Sequence, residues 1–112
     1  MSSGREKLEQ LLAAITDSII KISLVVFFHR NQGALDSAEG LARWVGKKTE
    51  EVERALAELT DVGIVDKIGE GRFAAYSYTQ DEEMIRAIEE FVMAMARENG
   101  ALQKTVNLLR GD

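Results

Sequence analysis

From Arg5 to about Arg30 the apolar residues Leu8, Leu12, Ile15, Ile19, Ile22 and Val26 recur at intervals of 4, 3, 4, 3 and 4, which keeps them on one helical stripe. The spacing predicts one long helix or two short ones, and Thr16-Asp17-Ser18 is the place where a second could start. Leu24, Val25, Phe27 and Phe28 make the later half apolar nearly all round, so it is expected to run through the centre of the core. Asn31 to Gly33 supplies turn residues. Asp36 or Ser37 then caps a short helix, with Glu39 placed to close a capping box onto Asp36, Leu41, Ala42 and Val45 facing inward, and Gly46 as the stop. Thr49 is the next expected N-cap. Behind it Glu50 and Glu51 suit the positive helix start, Val52, Ala55, Leu56 and Leu59 form a buried stripe, and Gly63 supplies a left-handed end.

Past Gly63 the texture changes to "IVDKI", "GEG" and "RFAAYSYT", two β-like runs around a glycine turn, hence a hairpin over 64–79. A helical segment is expected over 80–109. Ile85, Ile88, Val92 and Met95 recur in heptad spacing, and Leu102, Val106 and Leu109 keep that register beyond Asn99. The chain is therefore expected to be a single domain, mainly α with a small β-hairpin, and its only stretch expected to be disordered is Met1 to Gly4.

Composition narrows the chemistry. There is no cysteine and one histidine, His29, so neither a disulfide framework nor a Cys or His zinc site is available, and no metal or cofactor is expected. The most apolar run, Ile19 to Phe28, carries Lys21 and spans about ten residues where a membrane helix needs roughly 20. The reading is core, in a cytoplasmic protein with no membrane partner. Phosphate loops, nucleophile elbows and Cys/His pairs are missing, and serines such as Ser77 have no base nearby in sequence, so no enzyme is expected. The run "QDEEMIRAIEE" lacks the glycine and alternating oxygen ligands of a calcium loop and reads as a helix start with a solvated face. His29, at a helix end, reads as structural.

The net charge is -5, which repels a polyanion at long range, but the acid is uneven: residues 81–98 carry -4, whereas 62–80 balance at zero.

Three stretches resemble the winged helix-turn-helix domain of bacterial and archaeal transcription regulators of the MarR, ArsR and PadR groups. "SAEGLARWVG" (Ser37 to Gly46) is similar to that family's second helix. "VERALAELTDVGIVDK" (Val52 to Lys67) is similar to its recognition helix running into the first wing strand. "GR" at Gly71-Arg72 with "YSYT" at Tyr76 to Thr79 is similar to its wing tip and second strand, although Tyr78 stands where an aliphatic residue is commoner. The resemblance implies a winged helix-turn-helix with long N- and C-terminal helices, over 5–30, 37–62, 64–79 and 80–109. It also implies binding of double-stranded DNA by a transcriptional regulator, the helix from Glu50 to Val62 lying in the major groove.

The cations available for phosphate are Arg43, Lys47, Lys48, Arg54, Lys67 and Arg72, joined by Thr49 and the helix-start amides. Taken singly, each reads as an ordinary solvated charge worth well under about 1 kcal/mol in any ion pair, and it is as a cluster, with turn and wing brought to one side by the fold that the resemblance implies, that they stand as a phosphate site. Against them stand Glu50, Glu51, Glu53, Glu58 and Asp61 on the same helix, so an alternative function is a winged-helix protein-interaction module offering this acidic face to a basic partner. Trp44 is either an outward interface residue or a cap on the core. In the resembling groups the first and last helices commonly pair between chains, which makes a homodimer through Leu8, Leu12, Ile15, Ile85, Ile88, Val92, Met95, Leu102, Val106 and Leu109 the expected assembly, with Met84, Phe91 and Met93 adding adaptable apolar surface. Packing of the two helices within one chain is the other reading.

Overall fold

The computed structural model describes residues 9–10 and 13–97 of the chain. Residues 13–15 are helical, and the chain then breaks at Thr16 to Ser18. The second of the two readings for this region therefore holds. Ser18 takes an extended backbone and its hydroxyl accepts a hydrogen bond from the Lys21 amide, starting helix α1 (Ile19–Arg30). The break has a consequence for the stripe. A spacing of 4, 3, 4, 3, 4 aligns only on one continuous helix, and after the interruption Ile19 is left 53% exposed while Ile15 and Val26 are buried. The later half of α1 runs through the core as expected, with Ile22, Leu24, Val25, Val26 and Phe28 buried. Asn31 closes the helix, both its amide and its side-chain Nδ2 donating to the Phe27 carbonyl.

A three-residue strand, β1 (Leu35–Ser37), follows, which the alternation of the sequence does not signal. Helix α2 (Ala38–Val45) is capped by Ser37, whose hydroxyl accepts from the Gly40 amide. The capping box onto Asp36 does not form: the Asp36 carboxylate accepts from the Ser37 amide and lies over Gly40, where a Cβ would collide with it, while Glu39 pairs with Arg43 instead. Gly46 ends α2 in the left-handed region, at φ 71°, and the Lys47 amide returns to the Ala42 carbonyl. Only Gly46, Lys47 and Lys48 then separate α2 from α3 (Thr49–Asp61), so Lys48 rather than Thr49 is the N-cap, with no side-chain hydrogen bond. The turn is one residue shorter than the sequence predicts. Val52, Ala55, Leu56 and Leu59 form the buried stripe of α3, and Gly63, at φ 82°, ends it, with its amide bonded to the Thr60 carbonyl and that of Ile64 to the Leu59 carbonyl.

Strands β2 (Val65–Ile68) and β3 (Ala75–Tyr78) make the expected hairpin, and β1 adds to the far side of β3, giving a three-stranded antiparallel sheet in the order β1-β3-β2. Asp36, Tyr76 and Lys67 are cross-strand partners, as are Leu35, Ser77 and Asp66. Asp81, whose carboxylate accepts from the Glu83 amide, starts α4 (Glu82–Arg97), which buries Met84, Ala87, Ile88, Phe91 and Val92. The molecule is mainly helical with a small sheet. One cluster of apolar side chains joins α1, α2, α3, α4 and the inner face of the sheet; Phe28 stacks on Tyr78 with ring centroids 6.4 Å apart. Among the described residues no helix is long and apolar enough to cross a membrane.

Candidate nucleic-acid interface

The residues expected to meet phosphate are all on the surface except Thr49, which is half-buried as the first residue of α3. Lys47 and Lys48 occupy the α2–α3 turn, held at a fixed bend by the left-handed Gly46. Among the described residues neither is in an ion pair, and the same is true of Arg54, Lys67 and Arg72. Arg43 differs. Its guanidinium donates to Glu39 at 2.7 Å one turn back along α2, an exposed pair that a phosphate would have to compete with. Lys67 lies on β2 opposite Tyr76, and Arg72 sits in a single 3-10 turn, Gly71–Phe73, at the tip of the hairpin. Beside it Phe73 is 88% exposed.

The acidic face of α3 is only partly what its residue types imply. Glu50, Glu51, Glu53, Glu58 and Asp61 are all exposed to solvent, and Glu58 in addition reaches across to α1, where its Oε1 accepts a 2.9 Å hydrogen bond from the Lys21 ammonium. Lys21 also donates to Asp17 Oδ1 at 3.0 Å and to the Ala14 carbonyl at 2.9 Å, so all three of its protons have acceptors. It is 3% exposed. Burial alone disfavours the charged amine, yet the Glu58 and Asp17 carboxylates outweigh that penalty and hold the ammonium above the ordinary lysine range. One sequence signal foreshadows half of this cluster, the spacing of four between Asp17 and Lys21 on what becomes a helix start. Glu58 lies 37 residues away in sequence, and nothing local points to it.

Arg54 stands at the mouth of the same junction. Together with Glu51, Glu58 and Lys21 it lines an open cleft of about 260 Å³ between the start of α1 and α3. A phosphate contact from Arg54 would therefore be made beside two carboxylates rather than on a bare basic surface.

Trp44, with its two readings, and His29, read as structural, both pack against the chain. Trp44 is half-buried against Phe27 with ring centroids 4.7 Å apart, and so adds to the core where α2 crosses α1. His29 lies with Nδ1 3.3 Å from the hydroxyl of Tyr78, whose own ionisation is pushed up by burial and by the nearby Glu89 charge.

Of the apolar residues assigned to pairing between chains, Ile15, Ile88 and Val92 are buried within this one, and Ile85 and Met95 pack partly against its core. Met84 and Phe91 are buried too, leaving Met93 exposed on α4 and Ile19 exposed on α1. Leu8, Leu12, Leu102, Val106 and Leu109 lie outside the described residues. Heptad spacing marks a face that must be covered and is silent on which chain covers it. Compared with known proteins, the chain matches no protein-family model, no curated protein and no solved structure.

Proposed function

We propose that the protein is a DNA-binding transcriptional regulator built as a winged helix and working as a dimer, with α3 as the helix that enters the major groove and the β2–β3 hairpin as the wing. The observation that carries this reading is the arrangement of the middle of the chain: two helices joined by a three-residue turn, backed by a sheet of order β1-β3-β2 whose hairpin ends in Arg72. Lys47 and Lys48 at the start of α3 and Arg72 at the hairpin tip are cations without a partner in the chain among the described residues, which leaves them for phosphate. Of the five acids that oppose it, Glu58 is paired with Lys21, which it shares with Asp17.

The test is fluorescence anisotropy of a mixed-sequence duplex titrated with the protein at low and at near-physiological salt. Binding is expected at low salt and weakens steeply as salt rises, and Arg72→Ala lowers the affinity and reduces the salt slope by about 1. A second reading has its own observation: Glu50, Glu51, Glu53 and Asp61 remain exposed on α3 and suit a basic protein partner. Absence of binding at low salt would select it. The dimer is supported by Ile19 and Met93, apolar residues left on the outside of the two terminal helices, and sedimentation equilibrium reads it directly.

A further inference from the structure

The most exposed large apolar side chain in the described part of the molecule is Phe73, and its position is built rather than accidental. Strands β2 and β3 end their pairing at Ile68 and Ala75, and the residues between them adopt a defined bend. Gly69 and Gly71 have φ of 88° and 61°, a region that ordinary side chains rarely occupy, and the Ala74 amide donates to the Gly71 carbonyl at 3.1 Å to close the turn. Ala74, immediately after Phe73, is buried. The turn thus anchors one residue in the core and presents the one before it to water. No ring contact holds Phe73 among the described residues, whereas Phe27, Phe28, Trp44 and Tyr78 all have one.

A phenyl ring in water contributes little to folding, and this one has a second exposed apolar side chain, Ile68, on the same hairpin. Its neighbour Arg72 is an exposed guanidinium free of ion pairs among the described residues and adjoins the ring in sequence; Lys67, one ladder pair from the turn, is a second such cation, and the exposed Asp66 and Glu70 balance the two in the hairpin as a whole. A purely apolar pocket on a protein would be served by Phe73 and the exposed Ile68 without the cations. A flat apolar surface bordered at close range by negative charge is what a base step between two phosphates offers.

We propose that Phe73 is a wedge that stacks on, and partly opens, a base step of duplex DNA while Arg72 holds the adjoining phosphate. This rests on the DNA-binding reading and adds to it a mode of recognition. The hairpin would favour steps that unstack readily, the pyrimidine–purine steps, through their deformability rather than through hydrogen bonds to base edges.

The experiment uses the full chain and a mixed-sequence duplex carrying 2-aminopurine at a pyrimidine–purine step, with anisotropy and 2-aminopurine emission read in one titration at low salt. Wild type is expected to bind with a rise in emission as the step opens. Phe73→Ala is expected to keep the wild-type Tm, bind about tenfold more weakly, a loss typical of one stacked base, and give no rise; Phe73→Trp restores both signals. Wild-type binding without a rise, or Phe73→Ala with unchanged affinity, overturns the wedge and leaves the DNA reading standing. Failure of wild type to bind at all removes both. If Phe73→Ala leaves the DNA titration untouched but abolishes self-association in sedimentation, the ring belongs to an interface between copies, and the wedge is overturned.

Discussion

The α1–α3 junction and the tip of the hairpin handle charge in opposite ways. At the junction a lysine is almost wholly buried, and the chain supplies every acceptor it needs: the Glu58 and Asp17 carboxylates and the Ala14 carbonyl. At the hairpin an arginine and a phenylalanine stand side by side in solvent with no ion-pair or ring partner among the described residues. Satisfied groups are structural, and removing them costs stability. Groups left in solvent add little to the fold, and they are the ones open to an outside partner. The comparison also reverses the weight that residue types alone give to the cations, since Lys21 is the one the fold cannot lose.

The largest effect should come from reversing the charge at Glu58. Glu58→Lys sets a second ammonium against a buried one; because Glu58 is 53% exposed and Lys21 keeps Asp17 and the Ala14 carbonyl, the cost is about 1.5 kcal/mol, a fall in Tm of roughly 6 °C in a domain of this size. Glu58→Gln, which keeps an acceptor for Lys21, should lose less than half of that by urea denaturation. A result in which the two variants are equally mild would mean that Lys21 is content with Asp17 and the Ala14 carbonyl, and the contrast between the regions would fail. For the same reason charge reversal on the outer face of α3 is a clean probe of DNA binding at Glu53 or Asp61 and not at Glu58.

A smaller effect should appear at high pH. The Lys21 ammonium is held above its ordinary value, so its contribution is fully present below about pH 10.5 and is lost as pH rises through the higher value of the folded protein. Tyr78 acts in the same direction. Its phenol is pushed up by burial and then by Glu89, so above about pH 10 the unfolded chain gives up that proton while the folded one keeps it, and stability falls. Urea midpoints should be insensitive to these two groups from neutral pH to about pH 10 and should decline beyond it. Tyr78→Phe should make that decline shallower; an unaltered slope would show that the phenol is not the group responsible.

The smallest effect belongs to the hairpin: Arg72→Ala should change stability by no more than about 0.5 kcal/mol in thermal denaturation. A clear loss would reveal a partner for Arg72 within the chain and dissolve the difference between the two regions.

How much of this was legible in the residues depends on how far apart the cooperating groups are. Gly46 and Gly63 are visible as stops because a left-handed end is a local requirement, and the stripe Val52, Ala55, Leu56 and Leu59 is visible because a helix repeats over a few residues. The hairpin announces itself by its glycines. Strand β1 does not, since three residues are too few to show alternation and its partner β3 is some forty residues away. At the candidate site the exposed Lys47, Lys48 and Arg72 follow from residue type and position. The pairing of Glu58 depends on an approach between α1 and α3 that no periodicity encodes, and the exposure of Phe73 on where β3 begins: at Ala75, two residues after the apolar run starts.

The pairing of β1 with β3 has a topological meaning. Leu35 and Ser77 are opposite one another, so the polypeptide enters this unit and leaves it at points separated by the width of one strand pair, about 5 Å. Everything between them is a closed loop of chain hung on a two-helix frame, α1 before it and α4 after it. The span is no slack loop, since its two helices and its sheet share one apolar cluster with that frame and Glu58 is tied to Lys21; closing its ends side by side and filling the core are therefore one and the same event.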